Sequence, residues 1–286
     1  MMAKDTFLNR KTTLNAKGKL LDLSRPTVMA ILNITPDSFY SGSRVNSADD
    51  ALFRTEKFLQ EGATFIDIGA YSSRPGATEI STEEELSRIV PVIEAINKRF
   101  PEAILSVDTF RAAVAEQSIQ AGAHLINDIS GGTLDEAMFE TVAKLQVPYI
   151  LMHMKGTPQT MHIEPHYDDV VLEVVDYFVQ KIASLRALGV KDIILDPGFG
   201  FAKRRTHSYE LLNHMEDLKI FGLSILVGVS RKSMIHKFLD ISPDDALNGT
   251  TVLNTIALMK GANILRVHDV KPAVESIKLL EKTLTR

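Results

Sequence analysis

A chain of 286 residues with 45% hydrophobic side chains carries enough apolar material for one large core. Its formal net charge of −4 gives no electrostatic footprint for nucleic acid or an anionic membrane. Zero cysteines exclude disulfides, thiolate metal sites and cysteine nucleophiles, and no signal-like segment or apolar run of about 18 residues is present, so a cytoplasmic enzyme is the expectation.

No linker or low-complexity segment divides the chain, and a single domain over residues 1–286 is expected. Residues 7–24 place apolar side chains around Asn15-Ala16-Lys17-Gly18, which predicts a β-hairpin plugging one end of the main fold. Residues 27–32 read as a buried strand stopping at Asn33, and Thr35-Pro36-Asp37-Ser38-Phe39 is too polar and proline-broken to continue it. Ser47 followed by Asp50 marks a helix start, with Leu52, Phe58 and Leu59 on the buried face. Then Glu61-Gly62-Ala63 leads into the strand Phe65-Ile66-Asp67-Ile68-Gly69. The same grammar recurs: Gly122-Ala123 precedes residues 125–128, Gly189-Val190 precedes 193–196, and Gly261-Ala262 precedes 264–268. Each is a helix stopped by glycine, a short turn and an apolar strand ending in polar residues.

Further strands fit at residues 104–108, 149–152 and 225–229. Between them, Leu86, Ile89, Val90, Ile93 and Ile96 show helical periodicity behind the start Ser81-Thr82-Glu83-Glu84, with Pro91 expected to kink the helix. About eight strand–helix pairs in this length predict a (β/α)8 TIM barrel with an N-terminal β-hairpin. A doubly wound open sheet is the alternative, but no Gly-x-Gly-x-x-Gly turn follows the first strand to support it.

The most informative stretch is Ile193-Ile194-Leu195-Asp196-Pro197-Gly198-Phe199-Gly200-Phe201-Ala202-Lys203. A strand buried on both faces ends on a carboxylate, and the proline and glycines force a loop after it. Asp196 either caps the next helix or faces a ligand, and two exposed-looking phenylalanines favour the ligand. The other strands end on Asn33, Asp67, Asp108, Asn127 with Asp128, Met152 with His153, Ser230-Arg231-Lys232, and Arg266 with His268. In a barrel these ends converge on one mouth. Asp108, Asn127, Asp196 and Lys232 combine acceptors and donors suited to the edge of a planar heterocycle. Arg74, Arg266 and His268, near Asn33 and Thr35, suit an anion such as phosphate, helped by the last helix if Asp269 caps it. Asp67 reads as part of the inner barrel, and no Ser-His-Asp order or metal-binding histidine spacing stands out.

These residues fall in motifs that resemble the dihydropteroate synthase family, in order and at suitable spacing from about Leu14 onward: Asn33-Ile34-Thr35-Pro36-Asp37-Ser38-Phe39, Ser72-Ser73-Arg74-Pro75-Gly76, Val107-Asp108-Thr109, Ile126-Asn127-Asp128, Asp196-Pro197-Gly198-Phe199-Gly200-Phe201, Ser230-Arg231-Lys232 and Arg266-Val267-His268-Asp269. The resemblance implies a homodimeric enzyme of folate biosynthesis, a sulfonamide target, which condenses 4-aminobenzoate with 6-hydroxymethyl-7,8-dihydropterin diphosphate with the help of Mg2+. It also implies roles. Asp108, Asp196 and Lys232 would be catalytic and, with Asn127, would hold the pterin between Met152 and Phe201. Arg74, Arg266 and His268 would take the diphosphate and Asn33 its metal. Thr35, Phe39, Ser73 and Pro75 would belong to two loops that close over the site and form the aminobenzoate pocket, ordered only with ligand. Departures from the commonest family pattern are Tyr71 in place of a carboxylate, Ser73 in place of threonine, Ser41-Gly42-Ser43 in place of Asp-Gly-Gly, and Ala202 in place of glycine, which a negative φ would accommodate. A pterin-binding carrier without synthase activity and a methyltetrahydrofolate-dependent methyltransferase are the rival readings, and neither needs both loop motifs.

Overall fold

A computed structural model describes residues 11–34, 44–71, 80–156 and 165–284. An antiparallel hairpin, β1 (Thr13–Ala16) and β2 (Lys19–Asp22), lies inside the expected span 7–24, of which residues 7–10 are outside the described residues. Lys17 and Gly18 both take positive φ, 53° and 86°, which matches the twist that a two-residue hairpin turn requires. Eight parallel strands follow: β3 (Thr27–Asn33), β4 (Phe65–Gly69), β5 (Ile104–Asp108), β6 (Leu125–Asp128), β7 (Tyr149–Met152), β8 (Ile193–Asp196), β9 (Ser224–Val227) and β10 (Ile264–Val267). They pair in chain order, and β10 pairs with β3 to close the barrel, so the open-sheet alternative is excluded. The intervening helices are α1 (Arg44–Glu61), α2 (Thr82–Arg99), α3 (Ala112–Gln120), α4 (Met138–Leu145), α5 (Val170–Ala187), α6 (Arg205–Asn213), α7 (Ser233–Leu239), α8 (Leu247–Met259) and α9 (Val270–Leu284). Recurring glycines end them: Gly62 and Gly122 adopt φ of 100° and 117°, a conformation side chains resist. Helix α1 starts at Arg44, before the expected Ser47, whereas Ser81 caps α2 as expected by accepting the Glu84 N–H at 3.1 Å, and α2 runs on through Pro91.

Strand side chains alternate between faces, and the alternation here sorts two cores. Outward residues such as Ile66, Ile68, Leu105, Val107, Leu151 and Leu195 are buried under the helices. Inward residues at the strand starts, Met29, Phe65, Ile104, Leu125, Ile150, Ile194, Leu226 and Ile264, form a separate apolar layer across the barrel. Leu14 and Leu23 of the hairpin region complete that layer, which is why the hairpin sits on this end. Lys11 fixes it there through Asp192 at 2.5 Å, and Lys17 through the Ile119 carbonyl at 2.8 Å.

Candidate active site

Two residues beyond the apolar layer, the same inward faces carry Asp67, Ser106, Asn127, Met152, Asp196 and Arg266. Polarity therefore begins one layer below the mouth. Asp67 is fully buried, and its Oδ2 accepts from Arg266 Nε at 2.6 Å and Asn127 Nδ2 at 2.9 Å. Its Oδ1 has no hydrogen-bond partner among the described residues. Arg266 Nη2 donates to Asp108 Oδ2 at 2.7 Å, so one guanidinium joins the ends of β4 and β5. Burial pushes the Asp108 carboxyl up to about 7 against the pull of Arg266, with the charges of Asp67 and Glu85 adding to the rise. Burial also works against the Arg266 charge, but Asp67 and Asp108 outweigh it and hold the guanidinium above its ordinary value.

Across the mouth, Asp196 is buried and its Oδ1 accepts the Gly198 N–H at 2.8 Å. Burial raises its carboxyl, and Lys232, the Gly198 bond and Arg266 oppose that. Lys232 is pushed down to about 8 by burial, with Asp196 pulling it back up. Its ammonium donates to the Phe199 carbonyl at 2.5 Å and lies 4.7 Å from the centre of the Phe201 ring. Phe201 packs with Met152, Ile129 and Met154 into a small apolar wall. Phe199 does not: it is fully buried among the outer core residues, so only one of the two phenylalanines faces the mouth. Asn33 flanks Gly69 and Asp108, its Oδ1 lying 3.7 Å from where a Gly69 β-carbon would be. His268 Nδ1 is 3.0 Å from Ser230 Oγ, which joins the ends of β9 and β10.

The strand-end pairs separate as pleating demands. Asn127 faces the mouth, whereas Asp128 faces outward and accepts from Tyr149 OH at 2.6 Å, Ser130 N at 2.7 Å and Gly132 N at 2.8 Å. His153 likewise turns away from Met152 toward Lys203. Asp269 precedes α9, but both of its carboxylate oxygens are taken by Arg231, each at 2.9 Å. Ala202 has φ of 45°, not the negative value that would accommodate it, and sits in a conformation glycine tolerates better. Thr35, Phe39, Ser73, Arg74 and Pro75, with the loops expected to close over the site, lie outside the described residues. Sequence reasoning missed the hub role of Asp67 and the burial of Lys203. An acid in the middle of an otherwise apolar strand was the available signal for the first.

A family model described as pterin binding enzyme matches residues 29–268. The dihydropteroate synthase of Escherichia coli (strain K12) is 47% identical over 272 residues, spanning 94% of this chain and 96% of that protein. A solved Yersinia pestis dihydropteroate synthase with a sulfonamide drug superposes with a TM-score of 0.90 at 47% identity, over 96% of this chain and 100% of the other. A Xanthomonas albilineans dihydropteroate synthase with 4-aminobenzoic acid gives 0.89 at 37% identity, over 96% and 99%. A barrel mouth built from the motif carboxylates, amide and cations, matched along nearly its whole length by these proteins, places the chain in the dihydropteroate synthase family of pterin-binding enzymes.

Proposed function

We propose that the chain condenses 4-aminobenzoate with 6-hydroxymethyl-7,8-dihydropterin diphosphate to give 7,8-dihydropteroate and diphosphate. The observation that carries this reading is the polar layer itself, in which Asp108, Asn127, Asp196 and Lys232 set acceptors and donors around one opening bounded by Phe201 and Met152. A pterin edge carries amino and ring N–H donors beside a carbonyl acceptor, which such a set complements. Arg266 keeps Nη1 clear of both carboxylates, and with His268 and Arg74 it is assigned to the diphosphate. The aryl ligands of the Yersinia and Xanthomonas proteins, a sulfonamide drug and 4-aminobenzoic acid, are extended to this chain. Their pocket is assigned to Thr35, Phe39, Ser73 and Pro75.

The chemistry follows an S_N1-like course. The methylene–oxygen bond breaks with its electron pair leaving on diphosphate, and the pterin ring shares the positive charge left behind. Asp108 and Asp196 stabilise that charge, which is worth most where water is excluded. The arylamine lone pair then forms the new carbon–nitrogen bond, and the amine releases a proton. No protein nucleophile takes part. Mg2+ would be held by Asn33 Oδ1, a hard oxygen donor beside Gly69 and Asp108 at the mouth, together with oxygens of the substrate. Bound there, it supplies charge neutralisation for the departing diphosphate.

We also assign a cytoplasmic location and a homodimer, the second copy covering the exposed Val252, Ile256 and Met259, which α8 presents on one stripe. No helix among the described residues is long and apolar enough to cross a membrane. The deciding experiment measures diphosphate release by the purified chain, which must require both substrates and Mg2+. Pterin binding without diphosphate release would replace the reading with a carrier, and methyl transfer from a methylated folate with a methyltransferase.

A further inference from the structure

We propose that Lys203 is a positioning residue for the pterin pocket, tying the loop after β8 to the loop after β7 and thereby setting Phe201 and the Phe199 carbonyl on which Lys232 rests. The inference deepens the pterin reading above and rests on it. Lys203 is only 9% exposed, yet among the described residues no carboxylate pairs directly with its ammonium. The group sits among four acceptors: His153 Nδ1 at 2.8 Å, Gly198 O at 3.1 Å, and His153 O and Phe201 O at 3.3 Å. An ammonium has three N–H donors, so all are committed. Two acceptors come from the β7 loop and two from the β8 loop, and a single point charge is what holds them together.

The backbone needs such a fixture. Gly198 and Gly200 have φ of 70° and 78°, and Ala202 repeats the left-handed conformation at 45° with a side chain that resists it. At Gly198 the two loops touch so closely that an added β-carbon would lie 2.1 Å from the His153 carbonyl oxygen. Tyr167 OH donates to Ala202 O at 2.8 Å and holds the strained residue from its other side. Burial and the neighbouring Lys203 charge push the His153 imidazole well below its usual range, so it is neutral and can accept at Nδ1. What the loop presents is functional: Phe199 O receives Lys232 Nζ, and the Phe201 ring lies beneath that same ammonium. Without the Lys203 ammonium, the His153 and Phe201 carbonyls lose this donor while Gly198 O keeps the Phe201 N–H at 3.1 Å, and the loop can relax to a conformation with less strain at Ala202.

The test uses the full chain with Lys203→Met, which keeps the unbranched stem and removes the charge. Thermal unfolding, calorimetric Kd for dihydropterin diphosphate, and KM for 4-aminobenzoate are measured on it beside the unaltered protein. A folded variant should bind the pterin about 10- to 100-fold more weakly while KM for 4-aminobenzoate moves by less than about twofold. Lys203→Arg should not restore affinity, because a planar fork cannot gather four acceptors around one point. Unchanged pterin affinity in the folded variant, equal losses for both substrates, or recovery by arginine overturns the proposal. If Lys203→Met does not fold, Tyr167→Phe decides: it should weaken pterin binding by about threefold or more, and an unaltered Kd overturns the inference. Failure of the unaltered protein to bind pterin would instead strike the reading on which this one stands.

Discussion

Replacing Asp67 by asparagine tests the layer from which the site is built. The amide can set its oxygen where Oδ2 now accepts from Arg266 and Asn127, and its nitrogen where the partnerless Oδ1 lies, so both hydrogen bonds survive without charge. Exchanging charged for neutral acceptors costs about 1–2 kcal/mol, and burying an NH2 group with no acceptor adds about 1 kcal/mol. The larger penalty of roughly 3–5 kcal/mol for stranding a buried ion does not apply, because Arg266 retains Asp108 at 2.7 Å. At about 2–4 °C per kcal/mol, the melting temperature of a chain this size should fall by roughly 5–10 °C. A second effect has a definite sign. The Asp67 charge helps to hold Asp108 near 7, so its removal leaves Arg266 to lower the Asp108 pKa. Calorimetric pterin binding measured against pH should then lose affinity at a lower pH in the variant than in the unaltered chain. An unchanged melting temperature, or an acid limb that stays put or moves upward, would show that Asp67 is not the hub of this network.

Four further outcomes are expected. Asp196→Asn should weaken pterin binding by roughly ten- to a hundredfold, a loss of about 1.5–3 kcal/mol, without unfolding the chain; calorimetry giving an unaltered Kd would sink the assignment. Tyr149→Phe should cost about 1–2 kcal/mol in denaturant titration and leave pterin affinity alone, since its partner Asp128 faces away from the mouth, and a large affinity loss would contradict that separation. Gly198→Ala should lower stability by more than about 3 kcal/mol and abolish pterin binding, because the new methyl meets a backbone oxygen and the φ is left-handed; a crystal structure of a normally folded variant would refute the close approach. Asp108 titrates near 7 in the folded chain and near 4 when unfolded, so the stability it contributes is full below about 4 and is lost as pH rises through about 7. Asp108→Asn should abolish that part of the slope, and parallel stability–pH curves for the two proteins would exclude it.

The barrel was legible because its strands repeat one grammar, a helix-stopping glycine followed by an apolar run with a polar end. Convergence of Asp108, Asn127, Asp196, Lys232 and Arg266 on one mouth then followed from topology alone. What pattern could not reveal was which member of a strand-end pair faces inward. Asn127 and Asp128 are both polar and both buried, and only the register separates ligand wall from loop anchor. Partnership was equally hidden: Asp67 and Arg266 are 199 residues apart in the chain, and only closure of β10 onto β3 brings them to 2.6 Å. Phe199 misled because a glycine on either side made it look like exposed loop, when the turn folds its ring into the outer core.

The charges of the mouth explain why a rigid barrel suits this reaction. Asp67, Asp108 and Asp196 meet Arg266 and Lys232 at the mouth, and Lys203, bound between the two loops, adds its charge to the field at Asp196. The groups are not relaxed, however. Burial lifts Asp108 and Asp196 and depresses Lys232 and Lys203, so each ion is held at a cost that water would have removed. A cationic pterin ring bound as proposed would reverse that cost for both carboxylates at once, whereas a neutral ground-state ring would do so much less. The difference is transition-state selective and needs no movement, because the strand ends already hold the carboxylates and Arg266 ties one of them in place. Flexible loops could bring the same charges together only by paying for their order during the reaction. The apolar layer beneath, filled by Phe65, Ile104, Ile194 and their neighbours and sealed by Leu14 and Leu23, closes the barrel below the mouth to the water that would otherwise screen the same charges.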